Sequence, residues 1–382
     1  MKKILFITTR NPYSGRLSGD VIGSLKIINF LKKKHQIDVI TLGRGKSNLK
    51  RGGKIFNHPN FFFKFFYVFF SLLRLSPMHF GIFFSKKMKT YIEQNAKKYD
   101  LLFFYHIRSS QYLPRNYMGK TIIEMGDLYS NNYHQNFCNL NLLNPLKYVY
   151  LIESLLLKRA ENKIFLSFNK IILFSKNEIK KINKIFRKKI VNINLSINSI
   201  QNKFSYSLKN NKILFIGNLR YLPNLLAVKD FIRNSFFSIK KELPDIKFYI
   251  IGDVNKFNKL IFYFKRDIIF LGQQKNIKKY IKGSICGLAN LKIATGIQGK
   301  VLTYMSNGLP TICSKKVSLN FKSNVITYNN NDDLIKKIIY LKNNKKISNK
   351  FSKKSLKFVK TLSEKKVSLE YLKVVNFNKK HF

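Results

Sequence analysis

Short apolar runs alternate with longer amphipathic stretches along nearly the whole chain, and this alternation limits the fold more than any other feature. The run KILFIT at 3–8 suits a strand buried on both faces. The stretch after it places Val21, Leu25 and Ile28 on one side, as a covering helix would. Strands joined through helices run parallel, because the crossover returns the chain to the starting end of the sheet. The first half predicts further strands at 37–42, 101–105, 121–124, 170–174 and 191–195, with helices over 84–98, 145–165 and 176–186. The second half predicts strands at 212–216, 247–251, 267–270, 285–289, 310–313 and 325–328. Its helices are expected over 224–240, 276–282, 298–307 and 331–343.

The segment 201–211 is polar, rich in Lys, Asn and Ser, and has no apolar period, so it reads as a linker. At about 100–200 residues per domain, 382 residues suit two domains. The expected division is an N-terminal domain over 1–200, a second over 201–361, and a terminal helix within 362–382 that packs back on the first. The Lys/Asn-rich stretch 343–358 reads as surface. In open parallel sheets ligands gather beyond the carboxyl ends of the strands. Two Rossmann-like sheets of this kind, facing one another, would share an interdomain cleft, and residues that follow strands are the first candidates for a site.

The chain carries 72 Lys and Arg against 18 Asp and Glu, a formal charge of +54. Heavy use of Lys, Asn, Ile and Phe is what AT-rich codons produce, but the positive field is the same whatever its origin. It attracts nucleotide diphosphates, anionic headgroups and nucleic acid alike. Cys138, Cys286 and Cys313 have no metal-ligand spacing, and two lie in strand-like runs; they predict free thiols in a reducing compartment. The opening MKKILFITT reads as a first buried strand rather than a leader. No apolar run reaches the roughly 18 residues of a membrane span. The aromatic stretch FFFKFFYVFFSLL at 61–73 leaves two readings open. One is a helix buried in the first domain, and the other an interfacial helix lying in the headgroup region of an anionic leaflet.

The most informative segment is KIATGIQGKVLTYMSNGLPTIC at 292–313: strand, glycine turn, helix, Gly-Leu-Pro turn, strand. Gly296 and Gly299 permit close backbone approach by a ligand. A helix starting near Gln298 would offer unpaired N–H groups and a positive dipole end, which suit a diphosphate. Lys300 adds a charge there. Val301 and Met305 share an inward face, and Gly308 with Pro310 ends the helix. An ordinary crossover with incidental glycines remains the other reading of these residues.

GIQGKVLTYMSNGLP resembles the donor-binding signature of the retaining group 1 glycosyltransferases of GT-B fold, nearest to the branch linked to exopolysaccharide synthesis and exosortases. Gly296, Lys300, Met305, Gly308 and Pro310 keep its spacing. ILFIGNLRYLPNLLAV at 213–228 resembles the opening of the nucleotide-binding domain in that branch. The resemblance implies an α/β GT-B fold and transfer of a sugar, with retention, from a nucleoside-diphosphate sugar. The acceptor would be a saccharide or lipid-linked species in cell-surface polysaccharide synthesis. It also implies a cytoplasmic enzyme with no required metal and no cofactor, peripheral on the inner face of the membrane.

Several roles follow from the resemblance. Gly217, Asn218 and Arg220 would approach the diphosphate, with Asn224 capping the next helix. Gly272 and Gln273 would present backbone to the base. Thr295, Gly296, Ile297, Gln298, Gly299 and Thr303 would line the donor site. ITTRNPYSGRLSGDVIGSLKII places Gly19 where the family's first loop meets the donor, with Asp20 heading the helix. His106 and Lys300 are the candidate catalytic residues. Arg108, Glu124 and Asp127, all following strands, are acceptor candidates, although a structural histidine and a salt-bridged acid are as natural at such places.

Thr295 and Thr303 stand where the family usually has two glutamates, the later one binding the ribose hydroxyls. A threonine offers one neutral oxygen where a carboxylate accepts two charge-assisted bonds. Losing such a bond is worth about 1–3 kcal/mol. This leaves open a degenerate GT-B protein that binds a nucleotide, a lipid or a partner enzyme. Charge alone suggests a nucleic-acid binder, and no helix-turn-helix, zinc or RRM pattern supports one.

Overall fold

The computed structural model describes residues 1–16, 18–43, 48–49, 53–197, 199–255 and 266–377. It divides into two compact units, one of Met1–Asn194 with Lys365–Phe382, the other of Leu195–Glu364.

The first unit holds an eight-stranded sheet in the order β3-β4-β2-β1-β5-β6-β7-β8. Its strands are β1 (Lys3–Thr8), β2 (Gln36–Leu42), β3 (Asn48–Leu49), β4 (Gly53–Phe56), β5 (Leu101–Tyr105), β6 (Lys120–Gly126), β7 (Lys170–Leu173) and β8 (Ile190–Asn192). All neighbours pair in parallel except β3 with β4. Successive side chains of a strand point to opposite faces, so each apolar run feeds two cores. Leu5, Ile7, Leu102 and Phe104 join one cluster; Ile4, Phe6, Leu101 and Phe103 join the other. Helix Glu364–Val375 closes the second cluster with Val367, Tyr371 and Val375, which makes it part of the first unit.

The second unit is a wholly parallel six-stranded sheet, β11-β10-β9-β12-β13-β14. Its strands are β9 (Lys212–Ile216), β10 (Lys247–Ile251), β11 (Ile268–Phe270), β12 (Ser284–Ala289), β13 (Thr311–Ser314) and β14 (Ile326–Tyr328). Counted within the unit, the order is the doubly wound 3-2-1-4-5-6, and its direction reverses between β9 and β12. Ile213 and Phe215 face one core and Leu214 the other. Cys286 and Cys313 are buried free thiols in β12 and β13, while Cys138 is exposed.

Several elements differ from the sequence reading, each for a local reason. The stretch 201–211 belongs to the second unit and is strapped to it. Gln201 N–H donates to Ser306 O at 2.9 Å, Phe204 N–H donates to Asn307 O at 3.0 Å, and the Phe204 side chain is buried. The low-complexity stretch folds as helix Lys345–Lys360, whose inner face is Ser348, Ser352, Ser355 and Val359. Small serines let this helix approach closely, and they conceal its buried face from a hydrophobic pattern. The single helix expected over 176–186 is two short ones, Lys176–Ile179 and Lys184–Arg187. The stretch 61–73 is helical, but none of its residues is buried, which removes the core reading.

Candidate functional site

In the second unit three loops leave the carboxyl ends of β9, β10 and β11 and stay laced together by backbone. Gly217 N–H donates to Ile251 O at 2.8 Å, Leu219 N–H to Asp253 O at 2.7 Å, and Gly252 N–H to Gly272 O at 2.9 Å. Gly252 has φ +148°, and a Cβ there would lie 2.1 Å from Gly217 O, so only glycine fits. Asn218 turns its side chain onto the Arg220 N–H at 2.9 Å, and the exposed Arg220 pairs with Asp253 at 2.8 Å. Gly272 has φ +66° with open space where a side chain would be, and Gln273 beside it is exposed.

Across the sheet reversal, helix Gly299–Ser306 starts from Gln298, whose backbone is extended and whose side chain does not cap the helix. The Gln298 amide instead donates to Thr295 O at 2.9 Å. The first bond inside the helix is Val301 N–H to Gln298 O at 3.0 Å, which leaves the Gly299 and Lys300 amides ahead of it. Nothing lies within 4 Å of a Cβ built on Gly299, so the approach to those amides is open. Gly296 turns the chain into this mouth at φ +59°, and its carbonyl is held by Asn320 Nδ2 at 2.6 Å. Ile297 anchors the loop on the main core. The helix is a mouth of free amides on a fixed floor, and a phosphate oxygen is its chemical complement.

Among the described residues, Lys300 is the cation built into that floor. Its Nζ donates to Asn224 Oδ1 at 2.6 Å and lies 4.0 Å from the centroid of the Phe215 ring. Burial pushes its pKa down to about 7, opposed only in part by the neighbouring Cys313. Asn224 does not cap its helix, Leu222–Phe231, whose N-cap is Tyr221. It sits in the first turn, donates to Asn218 O at 2.9 Å and accepts from Lys300, joining the β9 loop to the amide mouth. Thr295 is buried, and Thr303 returns its hydroxyl to Gly299 O at 3.0 Å.

The first unit carries a second polar group at the ends of β1, β5 and β6. Gly19 opens helix Gly19–Lys32 with free space around it, and Asp20 in the first turn binds Arg10 at 2.7 Å and Arg108 at 3.5 Å. Arg108 is buried against the Phe83 ring, 4.2 Å from its centroid. His106 has φ +73° and hydrogen-bonds through Nε2 with the Tyr129 hydroxyl, while Nδ1 is enclosed without a partner. Burial, with Arg108 close by, holds its imidazole well below the ordinary pKa, so the ring is neutral at pH 7. Glu124 is corrected as an acceptor contact: it is 2% exposed, and its Oε2 accepts the Tyr371 hydroxyl at 2.5 Å. Burial raises its pKa to about 8. Half-buried Asp127 and buried Glu178 form an acid pair, raised by desolvation to about 7 and about 8, with Glu178 turned onto the Leu128 N–H that starts the next helix. Asp127 Oδ1 is enclosed without a partner.

Two residues of the second unit's site escaped the sequence reading. Tyr304 is fully buried; its hydroxyl accepts the Ile216 N–H at 2.7 Å and donates to Leu288 O at 3.3 Å. Its ring occupies the place a side chain on Gly287 would take, 2.4 Å from that Cβ. Gly252 is the other. The signal for both was present, a glycine in mid-strand and one at a strand end, each marking a close approach.

Residues 210–344 match the family model described as glycosyl transferases group 1. No curated protein matches the chain. Among solved structures it is similar to HepE from Anabaena in complex with UDP and glucose, at 12% identity and TM-score 0.67, covering 98% of this chain and 99% of that one. It is similar also to sucrose-phosphate synthase from Thermosynechococcus elongatus, at 12% identity and TM-score 0.72, covering 98% of each. A third is WaaG, a glycosyltransferase involved in lipopolysaccharide biosynthesis, at 10% identity and TM-score 0.64, covering 98% of this chain and 100% of that one. The fold is GT-B.

Proposed function

We propose that the chain is a glycosyltransferase whose donor, a nucleoside-diphosphate sugar, rests its diphosphate on the amides at the start of helix Gly299–Ser306. The observation that carries this reading is the open amide mouth with the buried amine of Lys300 beneath it. The match of residues 210–344 to a group 1 glycosyltransferase model supports it. So does the likeness to a structure solved with UDP and glucose.

In this reading Gly296 and Gly299 admit the diphosphate, and Lys300 neutralises charge on the departing phosphate. Such donors are fixed in advance, so no reorganisation is needed as the leaving group develops. Gly217, Asn218 and Arg220 flank the diphosphate, and the Gly272–Gln273 backbone meets the base. The bond from the anomeric carbon to the β-phosphate oxygen breaks, and a bond to the acceptor oxygen forms. The hydroxyl proton passes to the leaving phosphate, and the configuration is retained. His106, neutral and with an enclosed free nitrogen, is assigned to a sugar hydroxyl; Arg108 and Asp127 stay on the acceptor side. The positive charge comes from the chain itself, so we assign no required metal, and activity should survive chelation. Acceptor and setting follow the sequence reading: a saccharide or lipid-linked species in polysaccharide synthesis, in the cytoplasm where nucleotide sugars are made.

The test is calorimetry with UDP-, GDP- and ADP-sugars, followed by product analysis of anomeric configuration. No binding by any donor would refute the reading. Binding without transfer to any acceptor would favour a second one, a catalytically degenerate donor binder. That alternative draws on Thr303, whose hydroxyl is already engaged by Gly299 O.

A further inference from the structure

Helix Phe61–Leu73 is an apolar element that the protein covers on one side only, with Tyr67 and Phe70 half-buried and Phe61, Phe62 and Phe65 exposed. None of its residues is buried; Phe61 is 88% exposed, Phe62 73% and Phe65 72%. Soluble proteins rarely expose contiguous apolar patches larger than a few hundred Å² unless the patch has an occupant. The helix is nevertheless firmly placed. Asn60 caps it through Phe63 N–H at 3.0 Å, and Tyr67 stacks edge-on against Phe84 at 4.9 Å. Gly81 of helix Met78–Ile82 presses on it so closely that a Cβ there would lie 2.5 Å from Tyr67 O.

A second uncovered stripe belongs to the same unit. Helix Leu146–Ser167 exposes Leu146, Val149, Ile152 and Leu155 at successive turns, preceded by Leu143 at 91% exposure. The two helices are tied through Met78–Ile82. Glu153 of the longer helix accepts Met78 N–H at 2.8 Å and binds His79 Nδ1 at 2.6 Å. Basic residues accompany both helices along the chain: Lys64 lies within the first, exposed Arg74, Lys86 and Lys87 follow it, and exposed Lys158 and Arg159 lie within the second.

We propose that these two helices dock the protein on the surface of a bilayer containing anionic phospholipid. Charge complementarity selects this occupant, since the chain carries a formal +54 and exposed lysine and arginine lie in or directly after these apolar helices. Length selects the mode. Thirteen residues at about 1.5 Å each reach about 20 Å, short of the roughly 30 Å hydrocarbon core, so the aromatic helix lies in the interface rather than crossing it. Among the described residues no helix is long and apolar enough to cross a membrane. The docking needs no nucleotide and stands apart from the sugar-transfer reading.

The experiment is co-sedimentation of the full chain with phosphatidylcholine vesicles and with vesicles of about 30% phosphatidylglycerol, in 150 mM salt and without nucleotide. The wild-type protein is expected to sediment with the anionic vesicles. The double substitution Phe62→Ser, Phe65→Ser should weaken that binding by about tenfold or more, and Leu155→Ser should weaken it by a smaller factor. Because these side chains are exposed, melting temperature and circular dichroism should not change. Binding retained in full by the double variant would overturn the proposal, since charge alone would then explain it. So would absence of wild-type binding, or a discrete dimer in light scattering that Phe62→Ser, Phe65→Ser converts to monomer, because the occupant would then be a second copy.

Discussion

Lys300→Met separates the charge of the proposed donor floor from its shape. Methionine keeps the aliphatic stem against Phe215 and removes the ammonium held by Asn224. In the free protein Lys300 gives up its proton near pH 7 instead of 10.5, because burial penalises the charged form. A diphosphate set against it restores the preference for the proton. If the bound lysine returns to about 10, linkage makes binding weaker with rising pH by a factor approaching ten per unit. From pH 7.5 to 8.5 the expected loss is about eightfold, or about 1.2 kcal/mol. The assay is calorimetry with UDP at both pH values in Tris and in phosphate, whose different ionisation enthalpies report proton uptake. Wild type should take up nearly one proton at pH 8.5, and Lys300→Met should take up none, with a flat pH dependence and weaker binding at pH 7.5. An equal slope in both proteins would refute the argument, because the titrating group would then lie elsewhere.

Thr303→Glu should tighten binding of nucleoside diphosphates by about 1–3 kcal/mol if the family's ribose contact is what this chain lacks; titration of both proteins with UDP decides it, and unchanged affinity counts against the donor pose. Gly252→Ala should lose about 3 kcal/mol or more of stability in urea unfolding, since its Cβ would meet Gly217 O at 2.1 Å and its φ of +148° is strained for alanine. Tyr304→Phe leaves the Ile216 N–H without its acceptor and should cost about 1–3 kcal/mol in the same assay. Asp127 and Glu178 keep protons in the folded state between about pH 4, where such acids ionise when unfolded, and the raised values of about 7 and 8. Their contribution is therefore favourable at low pH and is lost as pH rises through that window. Asp127→Asn should gain on wild type between pH 5.5 and 8.5, by about 2 kcal/mol in unfolding free energy; a difference that does not change with pH would exclude the pair.

Most of the strands were legible because they are short runs buried on both faces, and their parallel pairing follows from the helical crossovers between them, whereas β4, with only Ile55 and Phe56 buried, was not read. Helix Lys345–Lys360 was not legible, because its buried face is serine: Ser352 Oγ lies 3.0 Å from where a side chain on Gly308 would be, so closeness of backbone replaces apolar bulk there. The polar strap at 201–211 was hidden for a related reason. It is held by backbone bonds to Ser306 and Asn307, and backbone bonds leave no trace in side-chain hydrophobicity.

The two candidate groups differed in legibility because they are assembled differently. In the second unit the amide mouth is made by consecutive residues, Gly296 to Lys300, and a local motif carries local geometry. In the first unit, apart from the Arg10–Asp20 pair, the group is tied together by partners distant in sequence: Asp20 meets Arg108, His106 meets Tyr129, Glu124 meets Tyr371, and Glu178 turns onto Leu128. No spacing rule links such pairs, and only the parallel stacking of β1, β5 and β6 brings their loops to one end of the sheet. Glu124 illustrates the consequence. A strand-end carboxylate in a basic chain reads as a substrate contact, yet the register that sets Glu124 beside Tyr105 points it at Tyr371 in the core. The same long-range assembly leaves three polar atoms of this group, His106 Nδ1, Arg108 Nε and Asp127 Oδ1, enclosed without a hydrogen-bond partner, and a buried polar atom left that way calls for a water, an ion or a ligand to complete it.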